Sequence, residues 1–214
     1  LLMRYKILFE FPLLDQKSVQ HSHSHFAFAG WVSHTLMTLL IAFLQKHDTL
    51  NKIAFKKYNL VLIGNLICSY VMLISFIMQG YGAISITFST LSIFVSYWFA
   101  YVFFKDCKQI ETSSVATKWF KAALFFNAIS SLGTFALAYM MATKNIHQNE
   151  YLASIYYYLH FQYNGWFFFA CMGLLISFLQ IKSDDSAFLK RTFWLFFLSC
   201  VPAYFLSTLW LDLP

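Results

Sequence analysis

The feature that most constrains this chain is a series of six apolar runs near residues 24–45, 58–79, 84–104, 119–142, 158–181 and 192–211. Each is about as long as a helix needs to cross the hydrocarbon of a bilayer. In that solvent every backbone N–H and C=O must be satisfied inside the protein, and a run of this length achieves that as an α-helix. The expected fold is therefore all-α, a polytopic transmembrane helix bundle of about six spans forming one domain over residues 1–214. With only 11% charged residues the chain departs from a soluble domain, where about a quarter are charged. It opens on LLMRYK, which reads as the exit of an earlier apolar segment, and stops abruptly at LDLP, so a longer parent chain is expected.

Lysine and arginine set the expected orientation, because short cytoplasmic loops carry an excess of them. Lys46, Lys52, Lys56 and Lys57 follow the first run; Lys105, Lys108 and Lys118 follow the third; Lys182, Lys190 and Arg191 follow the fifth. The opposite side is poor in charge. QGYGA has none, Lys144 meets Glu150, and Asp212 stands near the end. The N-terminal stretch runs against the pattern with Arg4, Lys6 and Lys17, partly offset by Glu10 and Asp15. The net charge of +6 reflects this asymmetry and argues for a lipid bilayer, with a redox partner or other membrane subunits, rather than nucleic acid. A bacterial inner membrane is the expected location.

One motif occurs twice. HFAFAGW at 25–31 returns as HFQYNGW at 160–166, in the order H-F-x-[F/Y]-x-G-W. The copies lie four spans apart, so both helices would run in the same direction with His25 and His160 opening them at the outer boundary. Two parallel repeats can build a two-sided site in a membrane fold. Gly30 and Gly165 would let a neighbouring helix or a flat ligand approach the backbone. Trp31 and Trp166 also suit a membrane interface whatever the function.

Histidine is concentrated around the first copy, in HSHSHFAFAGWVSH. At about 100° per residue His21 and His25 share a helix face, while His23 points roughly 200° away from His25. Imidazole is the commonest transition-metal ligand and an axial ligand of haem iron. The i, i+4 pair His21 and His25 suits one copper or zinc ion, and His23 with His25 suits two sites on opposite faces. His34, several turns inside the first run, is costly there and is a candidate on that ground; its alternative is a hydrogen bond to Ser or Thr of the third run. Asn164, one turn beyond His160 on the same face, is placed to orient that ring.

At these residues the chain resembles the haem-copper oxidase and nitric oxide reductase superfamily. Its catalytic subunit carries an H-x-H pair serving two haems, and His23-Ser24-His25 followed by Gly30-Trp31 is similar to the form in its smaller relatives. The resemblance covers two short segments. It implies haem b bound through His23 and His25, with His160 as a third ligand on another helix, and an oxidoreductase of the haem-copper type if the protein is an enzyme. No consecutive His-His pair occurs, so haem binding and electron transfer are implied rather than oxygen or NO reduction.

The leading expectation is a membrane protein holding haem b or copper near the outer face, with His25 and His160 as the axial pair and Gly30 and Gly165 making room for the macrocycle. The rival is a non-redox transporter or assembly subunit in which the HSHSH tract, with His21, His23 and His25, collects metal at the exterior; His160 is a further metal-ligand candidate, and a third reading is a purely structural subunit whose histidines bind nothing. Cys68, Cys107, Cys171 and Cys200 fall singly, and no thiolate metal site is read from them. No nucleotide loop, zincin or nucleophile-elbow motif is present. Asp184 with Asp185 reads as a solvated loop pair.

Overall fold

The structure, a computed structural model, describes residues 2–50, 53–110, 115–179 and 186–211. Lys52, Lys182, Asp184, Asp185 and Asp212, which entered the charge arguments, lie outside the described residues. Among the described residues the fold is all-helical and has no strand. The chain divides into two compact units, Leu1–Gln109 and Ile110–Pro214.

The first unit contains α1 (Leu2–Leu8), α2 (Gln16–His47), α3 (Lys56–Gln79) and α4 (Ala83–Asp106). The second contains α5 (Val115–Thr143), α6 (148–178) and α7 (Ser186–Ala203), the last followed by a 3-10 turn at Tyr204–Thr208. Among the described residues four helices, α2, α3, α4 and α5, are long and apolar enough to cross a membrane. Large apolar side chains stand on their outer surfaces, among them Leu60, Ile63 and Ile74 on α3 and Leu91, Phe94 and Trp98 on α4. Such surfaces are unfavourable in water and suited to hydrocarbon.

Helix α2 starts at Gln16, well before the apolar run. The Asp15 carboxylate accepts from the Ser18 backbone N–H at 2.8 Å and caps it, and this bond holds the Asp15 carboxyl below the usual range. This corrects the expectation that the motif histidines open their helices. His25 ends the stretch Gln16–His25, and His160 ends Gln148–His160. A polar stretch is free to be helical before it enters the apolar layer, and hydropathy alone does not see it.

Two locks fix α3 against α4. At one end Gly80 turns the chain with φ of +59°, where a side chain would be strained. The Ser85 hydroxyl closes this turn, donating to the Gly80 carbonyl at 2.7 Å and accepting from the Gly82 N–H at 2.9 Å. At the other end the fully buried Asp106 carboxylate accepts from Lys57 at 2.7 Å and from the Tyr58 hydroxyl at 2.8 Å. In the second unit α5 and α6 come together where Gly133 faces the backbone of Ser154 and Tyr158 and Gly173 faces the Phe120 ring. Gln162 donates to Asn127 at 2.8 Å and to Ser130 at 2.7 Å between the same helices.

The Asp106 lock is asymmetric, because the Lys57 side chain keeps 32% exposure and the carboxylate none. Lys57→Met leaves a buried charge unpaired and is expected to destabilise by about 3–5 kcal/mol. Asp106→Ala leaves a lysine that reaches solvent and a tyrosine without its acceptor, for a loss of about 1–3 kcal/mol. Denaturant titration in detergent checks the order; a larger loss for Asp106→Ala would contradict it.

Candidate functional site

The repeated motif has one backbone meaning in both places. Immediately after each histidine the helix widens into a π-helical segment, Phe26–Ser33 in α2 and Phe161–Phe167 in α6. Such turns are rare and are often found at functional sites. In both copies the glycine stands where a neighbour approaches the backbone. A Cβ at Gly30 would lie 2.8 Å from Ser69 Cβ, and one at Gly165 would run into Phe126 Cβ. Both copies also offer the carbonyl four residues after the histidine to another helix. Ala29 O accepts from Asn65 Nδ2 at 3.0 Å, and Asn164 O accepts from the Cys200 thiol at 3.7 Å.

The two histidines differ. His160 is buried, and its Nε2 donates to the Cys200 carbonyl at 2.8 Å. Its Nδ1 lone pair accepts from Asn164 Nδ2 at 3.2 Å, so Asn164 does orient this ring. With both nitrogens engaged, His160 as placed offers no lone pair to a metal. In the first copy the residue at the position of Asn164 is Ala29, which has no donor. Among the described residues the His25 ring makes no hydrogen bond; it lies flat on the buried Phe76, 4.3 Å between centroids and 9° between planes.

His21 joins His25 on this face, as their spacing requires. Tyr81, carried between Gly80 and Gly82 at the α3–α4 turn, stands edge-on to both rings, with centroids 4.7 Å from His21 and 6.2 Å from His25. The Tyr81 hydroxyl lies 3.4 Å from His21 Nδ1, while His21 Nε2 is buried with no hydrogen-bond partner. His23 is exposed, consistent with its opposite direction on the helix. No set of three His, Cys, Asp or Glu side chains converges among the described residues.

His34 receives its hydrogen bond from α3 rather than from the serines and threonines of the third span. The Asn65 amide donates both to the Ala29 carbonyl and toward His34 Nδ1, at 3.3 Å, and so ties the π-helical segment to the following α-helical turn. The signal for this partner was an amide within the second apolar run, since such a group seeks a bond to another helix. The tryptophans diverge: Trp166 is fully buried and Trp31 is 68% exposed. Sequence reasoning missed Tyr81, whose signal was the Gly-Tyr-Gly at the tip of a tight helical hairpin.

Searches of protein-family models, curated proteins and solved structures find no match to this chain.

The glycine contacts carry a test. Gly→Ala within a helix ordinarily gains about 1 kcal/mol. At Gly165 the neighbouring Phe126 Cβ reverses the sign, and Gly165→Ala is expected to destabilise by about 1–3 kcal/mol. Gly64→Ala, whose Cβ would meet Val95 at an ordinary 3.7 Å, is the control and is expected to be neutral or stabilising. Thermal unfolding in detergent distinguishes them.

Proposed function

We propose that this chain is an integral membrane protein of about six spans that binds a transition metal, copper by preference, on the HSHSH tract near the outer face of the membrane and serves electron transfer or related redox chemistry. The observation that carries it is the face shared by His21 and His25. Two imidazoles one helical turn apart stand beside one tyrosine, one with a buried nitrogen lacking a partner and the other making no hydrogen bond among the described residues. Neutral imidazole nitrogens suit copper and zinc, and a polar nitrogen buried without a partner is costly unless something binds it. The bilayer, a redox partner and further membrane subunits are the surroundings this reading implies. If the protein is an enzyme, it is an oxidoreductase.

Haem b is the second reading, and the exposed His23 is the observation in its favour. It leaves the helix on the side away from His25, as an H-x-H pair serving two groups requires. The residues do not fit a haem held between His25 and His160. Both His160 nitrogens are engaged, and the space at Gly30 and Gly165 is taken up by Ser69, Phe26 and Phe126. A haem on this chain would use His23 or His25 with a ligand from elsewhere.

Elemental analysis and a reduced-minus-oxidised visible spectrum of the purified protein separate the readings. The metal reading predicts stoichiometric copper, reduced at least about tenfold by His21→Ala or His25→Ala and kept in His160→Ala. The haem reading predicts iron with Soret and α bands that His23→Ala weakens. Absence of both metal and colour in the wild-type protein would overturn the proposal.

A further inference from the structure

An imidazole binds metal through one nitrogen, and the hydrogen bond made by the other decides which nitrogen carries the proton and how the ring is turned. On α2 alone, His21 has no group that does this. The group comes from the α3–α4 turn. There Gly80, with φ of +59°, reverses the chain and Ser85 pins both flanking glycines, so Tyr81 is held on a turn that has little freedom to move. The buried Phe76, on the same helix end, supports the position from within: its ring is edge-on to Tyr81 at 5.2 Å and flat against His25.

We propose that Tyr81 is the positioning residue of the histidine site: its hydroxyl oxygen accepts from His21 Nδ1–H, which leaves the lone pair on Nε2 as the metal-binding nitrogen. This rests on the metal reading of the tract and adds that the α3–α4 hairpin, rather than the histidine helix alone, sets the affinity. Two observations meet in it. The contact at 3.4 Å is on Nδ1, and the nitrogen buried without a partner is Nε2. A histidine serving only to pack would leave that second nitrogen costly and unexplained. Tyr81 itself is 41% exposed, so the turn that carries it lies at the surface.

The test uses copper(II) sulfate added to the full chain in detergent after chelator treatment, with affinity from competition titration and ligand geometry from electron paramagnetic resonance. Wild type is expected to bind one Cu(II) with nitrogen hyperfine structure. Tyr81→Phe keeps the ring contacts and removes the acceptor; it is expected to bind about 10–100-fold more weakly with a changed spectrum. Tyr81→Gln restores an acceptor and is expected to recover part of both. Wild-type affinity and spectrum in Tyr81→Phe would overturn the positioning role while leaving metal binding standing. A phenolate-to-copper charge-transfer band, lost in Tyr81→Phe, would overturn it by making Tyr81 a ligand. No Cu(II) binding by the wild type would remove the metal reading itself and this inference with it.

Discussion

In a helix that crosses a bilayer, backbone carbonyls find their donors only within the protein, and both copies of the repeated motif are built with such a donor at hand. At each π-helical segment a side chain from a neighbouring helix supplies it: Asn65 reaches Ala29, and Cys200 reaches Asn164. In the first copy the glycine follows from the same requirement: Gly30 lets Ser69 approach, on the helix that also carries the donor Asn65, whereas Gly165 admits Phe126 of α5 while the donor Cys200 comes from α7.

That shared scaffold then diverges by single residues. Where the second copy has Asn164 it closes off its histidine, with Cys200 holding the other ring nitrogen, and the result is a packed joint between helices. Where the first copy has Ala29 the histidine is left to stack on Phe76, and His21 and Tyr81 gather beside it. The same local architecture thus supports one structural copy and one copy with uncommitted imidazoles, which is why the proposed site is placed on α2.

The sequence made the apolar helices legible because hydropathy over a span is a sum over many residues and tolerates local exceptions. It hid the start of α2, since Gln16 to Ser24 is polar and its helicity rests on the Asp15 cap. The angular separation of His23 from His25 was readable, because it depends only on the helix period, and the second histidine's orientation by Asn164 was readable for the same reason. The contribution of Tyr81 was not. It depends on how two other helices are turned by Gly80, a contact between distant residues that no periodicity within α2 reports. The π-helical geometry was equally hidden: the repetition of His, Gly and Trp at fixed spacing read as a two-sided site, and nothing in the side-chain pattern reported the widened backbone.

The most direct test of that widened backbone is isotope-edited infrared spectroscopy of the Ala29 carbonyl, labelled with heavy carbon and oxygen, in the wild-type protein and in Asn65→Leu. If Asn65 supplies the bond that the widened turn requires, the labelled amide band moves to higher frequency in the variant, as expected for a carbonyl that has lost a donor. An unchanged band, with the variant still folded, would mean that the π-helical segment does not depend on its neighbour and would contradict the account.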